Sequence, residues 1–195
     1  MPPVTFFDAV SINNVGIQFK EGDTYEAGTT FGCVGSLEGE SDVSEKQLKC
    51  GNQVLGSITK VNFMTFTVTA ANAPLAVVRK LFGLENTGLK TGVYALGEKS
   101  KGKDFILTAD IEDEFQDVTK MIAFPNASNI TGLKIQAIEN GADEVANLEF
   151  EFRALKDANG KFYYEAMSDE VVDSIVKEQW HTGFTPALVA EIETP

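Results

Sequence analysis

The sequence predicts a mainly β protein: an antiparallel β-sandwich or incomplete barrel with one or two flanking α-helices. Three observations predict it. Residues 60–71 alternate, with Met64, Phe66, Val68 and Ala70 on one face and Thr65, Thr67 and Thr69 on the other, the period-2 signature of a sheet with one apolar side. The same alternation returns at 146–154, where Ala146, Leu148, Phe150, Phe152 and Ala154 interleave with Asn147, Glu149, Glu151 and Arg153. The chain also carries 14 Phe against one Trp, an aromatic content suited to pleated surfaces. Its 195 residues suffice for one domain spanning 1–195 with a full core. No internal repeat and no Pro- or Ser-rich linker divides it.

Taken in order, residues 1–30 hold short apolar pieces (Val15, Ile17, Phe19) broken by Asn13-Asn14 and Glu21-Gly22-Asp23. They predict an N-terminal arm followed by a hairpin or a loop-rich edge. Residues 31–40 predict a strand with Val34, Ser36, Glu38 and Glu40 on one side. Residues 41–59, polar and punctuated by Gly51-Asn52 and Gly56-Ser57, predict a long loop, which in a compact domain is uncommon unless it has a binding role or is mobile. After the 60–71 strand, Asn72 is a candidate N-cap and Pro74 suits a first helical turn. Leu75, Val78 and Phe82 then give a helical stripe that Gly83 stops. A short strand is expected at 93–96 and a lysine-bearing turn at 97–102.

Residues 104–112 place Phe105, Leu107, Ala109 and Ile111 opposite Ile106, Thr108, Asp110 and Glu112, a further strand leading to an acidic corner at Glu112, Asp113, Glu114 and Asp117. Strands are expected at 121–124 and 130–138, separated by a turn at Pro125-Asn126. A turn at 139–143 leads into the long strand at 145–155. Asp157-Ala158-Asn159-Gly160 reads as a hairpin turn, with 161–166 as the returning partner. Ser168 is a candidate cap for a second helix bearing Val171, Val172, Ile175 and Val176. The remainder, 179–195, holds Trp180, Phe184 and Leu188 without a period and reads as a C-terminal arm.

Charge and chemistry narrow the function. Formal net charge is −13, from 29 acidic and 16 basic residues. That argues against gripping nucleic acid, which needs clustered Lys and Arg, yet it suits a surface that a polyanion slides past. No apolar run reaches bilayer-spanning length, and the first residues lack the basic and apolar segments of a secretion signal. His181 is the only histidine, so a multi-histidine metal site is excluded. Cys33, Cys50 and His181 match no catalytic or metal spacing, and the two cysteines, without an export signal, are expected to be reduced and partly buried. The carboxylates at 110–117 lack the calcium-loop pattern, and Gly83–Gly88 lacks the Gly-Lys-Ser/Thr ending of a phosphate loop. No catalytic residue, cofactor site or metal site is assigned. The polar strand faces are either ordinary wet faces or the working surface.

The order of parts resembles a known family. Gly35-Ser-Leu-Glu-Gly-Glu-Ser-Asp-Val-Ser-Glu-Lys is similar to a strand running into a long polar loop. Val61 to Ala71, followed by Asn-Ala-Pro-Leu-Ala-Val-Val-Arg-Lys-Leu-Phe-Gly, resembles a strand and short helix. Ile138-Glu-Asn-Gly-Ala-Asp-Glu-Val-Ala-Asn-Leu-Glu-Phe-Glu-Phe-Arg-Ala-Leu-Lys-Asp resembles a late long strand and hairpin. Together they cover most of 31–166 and resemble the major tail, or tail-tube, proteins of long non-contractile-tailed bacteriophages of Gram-positive bacteria. The resemblance implies a β-sandwich with a flanking helix, assembled as a hexameric ring whose inner sheets join into one barrel. Rings would stack through the long loop, here Asp42, Glu45, Lys46 and Lys49, and through the terminal arms. DNA would pass down a lumen faced by Thr65, Thr67, Thr69, Asn147, Glu149 and Glu151 without specific binding. Implied partners are further copies of the chain, a tape-measure protein and a tail terminator, in the host cytoplasm during assembly and then in the virion tail.

Two other functions compete. A β-sandwich module binding carbohydrate or a host surface would stack sugars on Tyr94, Tyr163, Tyr164 or Trp180. A small β-rich hydrolase would use one of the carboxylate clusters, but no motif supports it. Self-association at raised concentration separates the tube reading from both.

Overall fold

The computed structural model describes residues 6–134 and 147–191. The predicted β-sandwich with flanking helices is what the chain forms. In chain order the elements are β1 (Ser11–Glu21), β2 (Thr24–Tyr25), β3 (Thr29–Thr30), β4 (Cys33–Cys50), β5 (Gln53–Ala71), α1 (Leu75–Phe82), β6 (Phe105–Asp113), β7 (Val118–Asn129), β8 (Leu148–Ala154), β9 (Tyr164–Met167) and α2 (Ser174–Gln179). All strand pairs are antiparallel, running in the order β2-β1-β6-β7-β8-β5-β4, with β3 added to β1 and β9 to β7.

β7 turns the corner between the two layers. Its residues Lys120–Ala123 pair with β9, whereas Ala127–Asn129 pair with β8. Pro125 lies between these stretches, where the β6–β7 register also shifts. The missing N–H therefore falls at a bulge and takes nothing from a ladder. This corrects the predicted turn at Pro125-Asn126, since the strand runs through it. At the far side β1 and β4 approach without pairing. Ser11, Ile12 and Ile111 face Gly35, Ser36 and Leu37 across a cleft of about 260 Å³, so the barrel stays open.

The core is a stack of phenylalanines between the layers. Phe31, Phe105, Phe150 and Phe152 are fully buried and Phe124 nearly so. Their rings meet across the sheets: Phe66–Phe124 at 4.5 Å, Phe31–Phe150 at 5.5 Å and Phe105–Phe152 at 5.9 Å between centroids, in the tilted and edge-on geometries that aromatic quadrupoles favour. α1 covers one end with Val77, Leu81 and Phe82. Gly83 ends it in the left-handed region at φ 69°, where an added Cβ would overlap the Lys101 backbone. The N-terminus differs from expectation. Asn72 takes φ 55°, Pro74 occupies the N-cap position and offers no side-chain cap, and Leu75 is left exposed while Val77 and Leu81 supply the buried stripe.

The second cluster was not foreseen. Ile106, Met121 and Ala123 on the outer faces of β6 and β7 are buried beneath Trp180 and Phe184. The residues read as a C-terminal arm are therefore docked on their own sheet through Trp180 and Phe184. Trp180 Nε1 donates to the Ile122 carbonyl at 3.0 Å. Gln18 clasps the Phe184 backbone, accepting from its N–H at 2.9 Å and donating to its carbonyl at 3.3 Å. Both hydrogen bonds are buried, where leaving the amide unpaired would cost about 1–3 kcal/mol. Of the hairpin and loop-rich edge expected after the arm, β1 forms a short hairpin with β2, but it is an inner strand and not an edge, with Val15, Ile17 and Phe19 in the core.

Further differences have local causes. The 93–96 segment forms only the single bridge Glu85↔Ala95. The Asp157–Gly160 turn forms, with Asp157 Oδ1 accepting from the Asn159 and Lys161 N–H groups. Its flanking strands nevertheless separate, because β9 pairs with β7 and not with β8. The second helix starts at Ser174, capped by Asp173 and not by Ser168, which leaves Val172 and Ile175 exposed. Residues 130–134 are not strand. The rest of the strand expected at 130–138, the turn at 139–143 and Ala146 lie outside the described residues.

Candidate functional surfaces

The polar face of β4-β5-β8 gathers most of the residues that the alternation singled out. Cross-strand partners point to the same side of a sheet, so the register reads directly as rows. Ser36, Thr69 and Glu149 form one row, Glu38, Thr67 and Glu151 the next, and Glu40, Thr65 and Arg153 the third, with Asp42 beside Phe63 beyond them. The result is a threonine centre flanked by Glu38, Glu40, Asp42, Glu149 and Glu151 with a single arginine. Arg153 lies over the Phe63 ring at 4.2 Å and is thereby held against the sheet. Lys134 Nζ sits 2.7 Å from Glu149, and this hydrogen bond and charge raise the lysine pKa. Asn147 is exposed one residue before β8 and outside the ladder. The sequence placed Glu38 and Glu40 on one strand side but did not connect them to Thr65 and Thr67, because pairing between strands is not written in either strand alone.

The 41–59 segment is not a loop. β4 and β5 pair continuously from Cys33↔Ala71 to Cys50↔Gln53, closed by a turn at Gly51-Asn52 with Gly51 at φ 59°. The outer part of this hairpin is exposed along almost its whole length. From Val43 to Cys50 it extends about 24 Å at strand rise. Polar residues on both faces hid it from periodicity, since neither face is buried. Asp42 roots the arm on the acidic face, bonded by Asn62 Nδ2 at 2.7 Å. Glu45, Lys46 and Lys49 lie further out. Residues 43–60 contain Lys46, Lys49 and Lys60 against Glu45, a local charge of +2 by that count, on a chain of −13. The same stretch exposes Val43, Leu48, Val54, Leu55 and Ile58 by half or more.

Other candidates resolve into structural roles. His181 Nδ1 lies 3.0 Å from Thr108 Oγ1 and Nε2 lies 3.0 Å from Asp110 Oδ1. The order hydroxyl, imidazole, carboxylate imitates a nucleophilic triad, but Thr108 is buried and its oxygen faces the Gly16 carbonyl. The trio fastens the C-terminal segment to β6. Asp113 accepts from the Asp8, Phe115 and Gln116 N–H groups and from Gln116 Nε2, and these bonds hold its carboxyl below the usual range. Cys33 and Cys50 are free and exposed at opposite ends of β4, a departure from the partly buried thiols expected.

The four aromatics of the sugar-binding alternative do not form one platform. Trp180 is buried, and Tyr94 is covered by Arg79 at 3.8 Å. Tyr163 donates to Glu165 at 2.9 Å, and Tyr164 to Asp157 at 2.6 Å. Burial, first, raises both phenol pKa values. No helix among the described residues is long and apolar enough to cross a membrane. No protein-family model matches the chain, and no curated protein matches it significantly.

Proposed function

We propose that the chain is a self-assembling structural protein, the major tube subunit of a long non-contractile phage tail, forming stacked hexameric rings that deliver DNA. The observation that carries this reading is the acidic, threonine-centred face of β4-β5-β8. Its one arginine is stacked on Phe63 and its carboxylates lie on three adjacent strands. Joined with its copies around a ring, such a face would line a channel that repels phosphate, its two cations, Arg153 and Lys134, being engaged by Phe63 and Glu149. Pairing around a closed ring would also satisfy the free edge of β4, an 18-residue strand that would be an aggregation hazard on an isolated monomer. The outer β4–β5 hairpin, paired along its length yet without a place in the core, supplies the arm for stacking. Tape-measure and terminator proteins are the implied further partners.

The test is Glu149→Lys with Glu151→Lys, two solvent-side changes on β8. The expected outcome is intact tails by electron microscopy and slowed DNA ejection that added salt restores. Normal ejection at low salt from tails carrying both lysines would remove this face from the channel.

A further inference from the structure

Two surfaces outside the acidic sheet face share a chemistry that fits them to each other. One is the outer β4–β5 hairpin, with its +2 charge from Lys46, Lys49, Lys60 and Glu45 and its exposed Leu48, Val54, Leu55 and Ile58. The other is the corner between β6 and β7. It carries the two most exposed aromatic side chains among the described residues, Phe115 at 84% and Phe6 at 77%. Around them residues 110–117 hold Asp110, Glu112, Asp113, Glu114 and Asp117 with no basic residue. Asp110 is committed to His181, Glu112 to Asn13 and Asp113 to backbone N–H groups. Glu114 and Asp117 remain exposed beside the rings. The nearest cation on β7, Lys120, is occupied by the Phe7 ring at 4.4 Å and Glu165 at 3.8 Å.

The corner is also held in shape. Gln116 Nε2 donates to the Phe6 carbonyl at 3.0 Å while Asp113 grips the Asp8 N–H at 3.0 Å. The segment bearing Phe6 is thus fixed beside Phe115. The hairpin is ordered by its own ladder. Association of two ordered surfaces loses less conformational freedom than ordering a loop on contact.

We infer that the hairpin arm of one copy docks on the Phe6–Phe115 corner of a second copy, apolar on apolar with Lys46 and Lys49 against Glu114 and Asp117. Arm and corner are different patches, so a one-way contact between them is heterologous and can propagate from copy to copy. The inference rests on the assembly reading above and adds the surface that receives the arm. The acidic sheet face is the poorer acceptor, since its one aromatic, Phe63, lies under Arg153.

Two charge variants test it: Lys46→Glu with Lys49→Glu on the arm, and Glu114→Lys with Asp117→Asn on the corner. Asparagine is chosen because position 117 has φ 55°. Circular dichroism confirms folding, and sedimentation with negative-stain microscopy reads assembly. Each variant alone should raise the concentration needed for assembly by about tenfold or more, because like charges then face each other. An equimolar mixture should assemble near the wild-type concentration, the reversed arm docking on the reversed corner. Phe115→Ser should weaken assembly without rescue by either charge variant. Wild-type protein that stays monomeric at every concentration would overturn the assembly reading and this contact with it. Wild-type assembly accompanied by unaltered assembly of both charge variants, or by a mixture that fails to recover, would overturn the contact alone.

Discussion

Phe150→Ala tests which side of β8 faces the core. Phe150 is fully buried, opposite Val68 on β5, with its ring 5.5 Å from Phe31 and 6.5 Å from Phe105. Truncation removes the ring from both layers at once. A buried Phe→Ala change costs about 3–5 kcal/mol, including the cavity that the frame cannot collapse. The upper half of that range is expected here, because the neighbouring Phe31 and Phe105 rings are themselves fully buried and come from separate parts of the chain. Against a typical total of about 5–15 kcal/mol, and with a urea slope of about 2 kcal/mol per M, the midpoint should fall by about 2 M. Thr67→Ala on the opposite face should cost under about 1 kcal/mol. Urea unfolding followed by circular dichroism and by the emission of Trp180, which lies in the other cluster, provides two probes of one transition. An unchanged midpoint for Phe150→Ala, or a larger loss for Thr67→Ala, would show that the faces are reversed.

Excising Val43–Val61 and rejoining the strands through a short turn should leave a cooperative fold with a midpoint near wild type, because the segment adds nothing to the core. Microscopy should then find no stacked tubes, and normal tubes would end the hairpin's role. Gly28→Ala should loosen the C-terminal segment, since a Cβ there would overlap the His181 carbonyl. The expected readout is a red shift of Trp180 emission with the far-ultraviolet spectrum preserved; unchanged emission would show that the segment shifts without cost. Asp113 has a depressed pKa in the folded state. Its stabilising contribution is therefore present above the ordinary carboxylate pKa near 4 and is lost as pH falls through the lower folded value. Asp113→Asn should flatten that part of the acid limb, and an acid limb identical to wild type would refute the assignment.

The sequence was most informative where one face of a strand is buried and the other wet. Phe150, Phe152 and Val68 were placed correctly for that reason, and Thr65, Thr67 and Thr69 with them. It was silent where both faces are alike. The outer β4–β5 hairpin is wet on both sides and left no period. At 104–112 the alternation marked the strand, but not that Ile106 and Thr108 on its more polar side are covered by Trp180, His181 and Phe184 from far along the chain. Partner choice was also illegible: the Asp157–Gly160 turn promised that its flanking strands would pair, yet β9 pairs with β7. Of the candidate surface, the threonines and Glu149/Glu151 were found from local pattern. Glu38, Glu40 and Asp42 joined them only through the register of β4 on β5.

Dependence of β6 on the C-terminal segment sets an order of events during synthesis. Ile106 leaves the ribosome long before Phe184 does, and at about 5–20 residues per second the interval is on the order of 4–16 s. Throughout that time the outer faces of Ile106, Met121 and Ala123 have no cover from their own chain. A nascent subunit therefore presents a sticky sheet that a finished one does not. Completion of the strap marks a chain as ready, and a truncated chain ending before Trp180 keeps the mark of an unfinished product, open to chaperones and proteases. In the proposed tube, this would keep incomplete chains out of the polymer before they could end it.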